Sequence, residues 1–274
     1  MTGEEDRLRE ALAATEERLR ATLSDLEEAR HEIEAQEAAR ERSLAVLIHE
    51  LRMPLTPALL MAQLLEDDPA LSLQHREAAA TIRRNVELEA RLVNDLFDLT
   101  RIAYDKLELA LTEIDLAGKL REVLADFDRQ VREKGLDVVL RLQAADHRVH
   151  ADPARLRQIL WNLLHNALKF TPRDGRITIR SESAGPRRLA LEVTDTGIGI
   201  EPDLLQRIFL PFEQGARDVT RRFGGLGLGL AVCKSLVEAH GGTLSARSEG
   251  RGKGAAFRLE LPLAAAGSRP LSRA

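Results

Sequence analysis

The apolar positions at the start of the chain recur with a seven-residue period. Leu12, Leu19, Leu26 and Ile33 form one seam. The companion positions are Leu8, Thr15, Thr22, Ala29 and Gln36. Residues 4–43 hold almost no Gly or Pro, so the spacing predicts a long helix pairing as a two-stranded coiled coil of modest stability. A single solvated helix is the competing reading, because charged helices imitate heptads. The apolar pattern continues from Ser43 to Leu65 and breaks at Glu66-Asp67-Asp68-Pro69. A second helical pattern runs from about Ser72 to Leu109, with Ile82, Val86, Leu92, Val93, Leu96, Leu99 and Ile102 on one stripe. Two long helices with a short link form a helical hairpin, and two hairpins make a four-helix bundle, so a homodimer is expected.

The period changes after about Glu113. Leu116–Lys134 reads as one helix ending before Gly135, and Asp137–Leu142 as a strand. Asp152-Pro153 opens a helix that runs to about Lys169, with Asp as N-cap and Pro in the first turn. Arg176–Ser181 and Leu189–Thr194 alternate as strands. Ala231–His240 reads as a helix stopped by Gly241-Gly242, and Thr243–Ser248 and Ala256–Leu261 as closing strands. The fold class is α+β: a coiled coil, a helical bundle, then a sheet covered by helices. The expected boundaries are 1–42 for the coiled coil, 43–110 for the hairpin, 111–264 for the sheet domain and 265–274 for a flexible tail.

Composition removes several classes of function. Aromatic residues make up 3% of the 274, too few for base-stacking modules, and the net charge of −4 gives no general pull toward nucleic acid or anionic membranes. The single cysteine, Cys233, excludes an internal disulfide framework and a cysteine-based zinc cluster, and reads as a small buried apolar residue. No apolar run approaches the ~20 residues that span a bilayer, so no direct membrane insertion is expected. The N-terminus is charged from Glu4 onward, so a signal peptide is not expected and a cytoplasmic location is.

Four clusters carry candidate chemistry. His49-Glu50-Leu51-Arg52-Met53-Pro54 sits amid Leu44, Val46, Leu47 and Leu55. Alone, such a pair reads first as a surface histidine. Pro54 and Pro57, however, give up helix stability just beyond it, as functional sites tend to. Asn162, Asn166 and Lys169 share a helical stripe at offsets of four and three. Amide oxygens suit a hard cation and a lysine suits phosphate, although the stripe could also be a plain polar face. Asp195-Thr196-Gly197-Ile198-Gly199-Ile200 follows a strand: a carboxylate there can accept from an exocyclic amine, and glycines admit a flat ring, as would an ordinary glycine turn. Gly224-Gly225-Leu226-Gly227-Leu228-Gly229-Leu230 leads into a helix, where free N–H groups and the helix dipole make a phosphate site. It lacks the Gly-Lys-Ser/Thr of a P-loop and the spacing of a dinucleotide fingerprint. Glu213–Phe223, with Arg217, Arg221 and Arg222, has the length and composition of a lid.

The order of these clusters resembles that of two-component sensor histidine kinases, over about Ser43 to Leu263. The resemblance implies a dimerisation and phosphoacceptor domain followed by an ATP-binding domain of the gyrase–chaperone–kinase–MutL (GHKL) type. It implies that His49 accepts phosphate and that Glu50 handles the imidazole proton. Asn166 would ligate magnesium, with Asn162 and Lys169 at the same phosphate–magnesium centre. Asp195, Gly197 and Gly199 would take adenine; Gly225, Leu226, Gly227, Leu228 and Gly229 would flank the lid and phosphates. The implied cofactors are ATP and Mg2+. The implied partners are a second copy, a response-regulator receiver domain, and a sensor domain or sensor protein upstream. Three residues depart from the pattern. Met53 stands where many relatives carry Thr or Asn, which predicts weak or absent phosphatase activity; Ile48 replaces a common Ser, and Leu226 a common Thr or Ser.

The other histidines, His31, His75, His147, His150 and His240, fit exposed helix, loop or helix-end positions, and His165 lies near the proposed magnesium centre. Two alternatives remain: a dimeric scaffold that binds nucleotide without phosphotransfer, and a GHKL-type ATPase. The second lacks the glutamate base of such enzymes, since that position carries Asn162.

Overall fold

A computed structural model of the chain describes residues 2–103, 107–213 and 227–264. In the first helix many side chains, His49 among them, lie outside the described residues, as do Gly225, Leu226, the lid arginines and the tail from 265. The chain divides into two compact units, Met1–Val93 and Asn94–Ala274.

The first unit is a helical hairpin. Helix α1 (Thr2–Asp67) is continuous through Pro54 and Pro57, each of which removes one N–H from the ladder. Of the heptad seam, Leu19 and Leu26 are exposed. The turn is made by Asp68, whose carboxylate accepts from Ala70 N (2.8 Å). Helix α2 (Leu73–Ala103) follows, with the Ser72 hydroxyl accepting from His75 N (3.4 Å) as an N-cap. Among the described residues of this unit, Ile48, Ala62, Ala79 and Ala80 are the buried apolar ones. Arg83 bridges Glu66 on α1 and Glu87 on α2, both at 2.6 Å.

The second unit is a sheet with helices on one face. Its elements are β1 (Thr112–Asp115), α3 (Leu116–Ala125), α4 (Asp128–Lys134), β2 (Asp137–Leu142), β3 (Arg148–Ala151) and α5 (Pro153–Phe170). Then come β4 (Arg176–Ser183), β5 (Arg188–Asp195), the short α6 (Pro202–Leu205), α7 (Gly229–Ala239), β6 (Thr243–Arg247) and β7 (Ala255–Pro262). The main sheet has the order β2-β4-β5-β7-β6, with β2 parallel to β4 and the other pairs antiparallel. Strand alternation decides its faces. Ala255, Phe257, Leu259 and Leu261 of β7 point inward, while Arg258 on the outer face pairs with Glu182 (2.7 Å) and Glu260 (2.9 Å). The inner face meets Leu116, Leu120 and Val123 of α3, Leu156, Leu160 and Leu163 of α5, and Val232 and Leu236 of α7.

The five strands and the helices α5 and α7 lie where the periodicity puts them. Three features differ. The helix expected to reach Leu109 ends at Ala103; residues 107–110 carry no regular structure, and Ala110 N donates to Asp152 (3.0 Å). The single helix expected over Leu116–Lys134 is two, because Phe127 turns inward at the break and its ring meets Trp161 at 5.6 Å. The pair β1–β3 was not expected, since four-residue strands are too short to show an alternation.

Candidate active site

Helix α5 is the backbone of the site. Its buried side, Leu156, Ile159, Leu160, Leu163, Leu164, Ala167 and Leu168, has helical spacing and holds the helix to the sheet. Asp152 caps the start, accepting from Ala154 N (2.9 Å) and Arg155 N (3.1 Å), with Pro153 in the first turn. His240, at a helix end as expected and buried there, ties the end of α7 to this cap. Its Nδ1 donates to Leu236 O (2.6 Å), and its Nε2 accepts from Asp152 N (3.0 Å).

The half-buried side of α5 carries Asn162, Asn166 and Lys169. The Asn162 amide donates to Gly229 O at 3.4 Å, so the middle of α5 meets the first residue of α7. Among the described residues no side-chain hydrogen bond caps the start of α7 at Leu228, and Gly229, Leu230 and Ala231 form its first turn. Uncapped amides at a helix start, with the positive end of the dipole, suit a phosphate. Gly227 has φ +73°, and a Cβ there would collide with Glu213 O, so glycine is required. Phe212 N donates to Gly227 O (3.2 Å), and the chain therefore leaves toward Gln214 and returns at Gly227 at one place. Burial lowers the Lys169 pKa, and its ammonium lies 5.0 Å from the centre of the Phe170 ring. Beside this stripe, His165 stacks on Trp161 at 4.5 Å, which gives both rings a packing role.

The Asp195 turn lies at the other end of α5. Ile198 N donates to Phe170 O (3.2 Å), and a Cβ on Gly197 would collide with that same carbonyl. Asp195 is buried and accepts from Gly197 N (2.8 Å) and Ala255 N (3.3 Å), both on Oδ1. Among the described residues both of its hydrogen bonds use Oδ1, and Oδ2 makes none. Burial raises the Asp195 pKa, against the pull of its two backbone donors.

Periodicity does not reveal one further part of this end. The β6–β7 turn, Gly250-Arg251-Gly252-Lys253-Gly254, backs the Asp195 turn. Gly252 N donates to Ile198 O (2.6 Å) and Gly254 N to Gly197 O (3.1 Å). The Ser248 hydroxyl accepts from Ile200 N (2.9 Å) and donates to Gly254 O (2.6 Å). The alternating glycines of 250–254 were the available signal. Cys233 is buried, as expected, and burial pushes its thiol up to about 12.

Glu50 is exposed on α1, the next residue after His49. Among the described residues no group of three or more His, Cys, Asp or Glu could hold a metal by itself. The amide oxygens on α5, near the start of α7, would instead suit a magnesium carried mainly by phosphate oxygens.

Two families match. Residues 39–104 match the His Kinase A (phospho-acceptor) domain, and residues 151–265 match the histidine kinase-, DNA gyrase B-, and HSP90-like ATPase. The chain is 38% identical over 239 residues to the autoinducer 2 sensor kinase/phosphatase LuxQ of Vibrio cholerae, covering 84% of this chain and 27% of LuxQ. Among solved structures it is similar to full-length ShkA in complex with AMPPNP: 35% identity, TM-score 0.65, 81% of this chain and 46% of that one. It is also similar to the histidine kinase ThkA in complex with the response regulator protein TrrA: 27% identity, TM-score 0.52, 86% of this chain and 66% of that one. The chain spans less than half the length of the first curated relatives it matches. Among the described residues no helix is long and apolar enough to cross a membrane.

Proposed function

The chain belongs to the two-component histidine kinases, with the phospho-acceptor and ATPase domains in that order, and from this premise we propose that it phosphorylates His49 from ATP and passes the phosphoryl group to a response regulator. One observation carries the reading. The buried carboxylate of Asp195, with one oxygen spare, stands at the end of the helix whose side bears Asn162, Asn166 and Lys169. Base recognition and phosphate binding thus share one rigid element.

Asp195 Oδ2 accepts from the adenine amine, and Gly197 and Gly199 let the backbone lie against the ring. The amides of Gly227 and Leu228, the first amide of α7 at Gly229, and Lys169 receive the phosphates, and Gly225 and Leu226, outside the described residues, belong to the same glycine run. Magnesium, when bound, neutralises charge on the phosphate oxygens, and Asn166 would supply its protein ligand with Asn162 beside it. Nε2 of His49 forms the N–P bond as the bond from the γ-phosphorus to the ADP oxygen breaks. Glu50 takes or orients the imidazole proton. In the second transfer a receiver-domain aspartate oxygen replaces the histidine nitrogen on phosphorus. The ThkA complex with TrrA supports a regulator as partner.

The working form is a homodimer. Val46, Leu47, Leu51, Met61 and Leu64 of α1 are exposed in one chain, a stripe that a second hairpin would cover. Residues 1–42 act as the signalling helix, 43–110 as the dimerisation and phosphotransfer domain and 111–264 as the ATP-binding domain. The location is cytoplasmic, downstream of a sensor domain or sensor protein.

Incubation with γ-labelled ATP and magnesium tests the proposal. The expected product is acid-labile, alkali-stable label on the chain, lost in His49→Gln. Nucleotide binding without label would make the chain a scaffold, and free phosphate without labelled protein would make it an ATPase.

A further inference from the structure

Lys134 was not among the candidate residues, yet its ammonium occupies the C-terminal end of α5. Nζ donates to three backbone carbonyls: Leu168 O (2.6 Å), Thr171 O (3.1 Å) and Lys169 O (3.4 Å). An ammonium has three N–H groups, so these three oxygens saturate it. The last carbonyls of a helix have no partner within the helix and carry the negative end of its dipole. Here each has a partner. Ala167 O accepts from the Thr171 amide (3.0 Å) and hydroxyl (2.6 Å), and Phe170 O accepts from Ile198 N (3.2 Å). Lys134 takes the other three.

The position of this cap matters more than its strength. The carbonyl of Lys169 is held by Lys134, while the side chain of the same residue belongs to the phosphate stripe. Phe170 O, between two carbonyls that Lys134 holds, carries the bond to the Asp195 turn. Lys134 itself is fixed at the end of α4: Gly135 closes that helix at φ +65°, and Asp174 N donates to Lys134 O (3.0 Å). One side chain therefore controls the last turn of α5, where the base end and the phosphate end of the site join.

We propose that Lys134 is a positioning residue for nucleotide binding. It sets the α5 terminus so that Lys169 and the Asp195 turn hold the two ends of ATP in register. The three carbonyls that converge on its ammonium are also a ligand set for a small monovalent cation. Removal of the side chain leaves an oxygen cage that ammonium or potassium ions can fill.

The inference deepens the ATP-binding reading and rests on it, so binding is the readout and phosphotransfer is not needed. The dissociation constant for Mg·ATP is measured by calorimetric titration of the full chain and of Lys134→Ala, well below the melting temperature of each. The wild type binds with an affinity indifferent to whether the salt is ammonium, potassium or tetramethylammonium chloride. Lys134→Ala binds about tenfold more weakly in tetramethylammonium chloride, and ammonium or potassium chloride restores most of the loss. If Lys134→Ala fails to fold, Lys134→Gln keeps the stem and an amide donor, and its affinity falls between the two. A lower melting temperature with unchanged affinity overturns the proposal, because Lys134 is then only a cap. A weakened affinity that no small cation restores overturns it too. A wild type that binds no nucleotide refutes the ATP-binding reading itself, an outcome distinct from either.

Discussion

Asp98 and Arg155, 57 residues apart in sequence, form an ion pair of 2.8 Å in which the carboxylate is 2% exposed. Gln158 donates to the same Asp98 oxygen (2.8 Å) and contacts Asp95 (3.3 Å). The pair joins the last turns of α2 to the first turns of α5. A buried carboxylate is tolerable only with its partners in place, and loss of one partner strands the others. Asp98→Ala is expected to destabilise the second unit by about 3 kcal/mol. Asp98→Leu with Arg155→Met recovers most of that, since an apolar pair of similar volume has no desolvation to offset. Urea unfolding followed by circular dichroism measures both, and a loss in Asp98→Ala within error of zero would contradict the pairing.

Asp195 sets affinity against stability. Burial raises its pKa in the folded protein, so the fold holds the proton more tightly than the unfolded chain does. The linkage sign follows: between the unfolded and folded pKa values, the contribution of Asp195 to stability falls as pH rises. Without nucleotide, Asp195→Asn is expected to withstand more urea than wild type at pH 8, with the gap narrowing toward pH 4. The same substitution weakens nucleotide binding by about 2 kcal/mol, since it removes a charged acceptor for the base. A variant less stable at pH 8 than at pH 4, relative to wild type, would reverse the sign.

Gly199 and Gly241 separate two roles of glycine. Both have positive φ, +71° and +67°. A Cβ on Gly199 would collide with Gly250 O, whereas nothing lies within 4 Å of one on Gly241. Gly241→Ala meets only the left-handed backbone penalty, about 1 kcal/mol. Gly199→Ala must also push the β6–β7 turn away from the Asp195 turn, and is expected to lose about 3 kcal/mol and much of its nucleotide affinity. Thermal melts and nucleotide titration of the two variants check this; equal effects would mean that the two turns do not brace each other.

Met53 lies four residues after His49 on α1, and its side chain is exposed. A thioether cannot position a water molecule as a hydroxyl can. Met53→Thr is expected to raise dephosphorylation of a labelled regulator by about tenfold or more without loss of label on His49. Release of phosphate from the regulator by the unmodified chain, in His49→Gln as well, would show that Met53 imposes no such limit.

Local order in the sequence determined much of this protein. Alternating apolar residues define β4, β5 and β7, and the Asp152-Pro153 cap with its 3.6-residue period defines α5. Such signals survive in sequence because the interacting groups are at most four residues apart, or repeat along one face. The four kinase-like clusters were legible for the same reason, each being a short run with its own chemistry. The partners of those blocks were decided only by the tertiary structure. Lys134 reaches carbonyls 34 to 37 residues away, Ser248 meets Ile200, and Asp98 meets Arg155. None of these pairs recurs or shares a face, so none leaves a period. The break at Phe127 is of the same kind: a helical pattern runs through it, and the pull of the buried ring toward Trp161 outweighs the continuity of the helix. Hydrophobic period chose the elements; burial of individual polar and charged groups, each in need of a partner, chose how they meet.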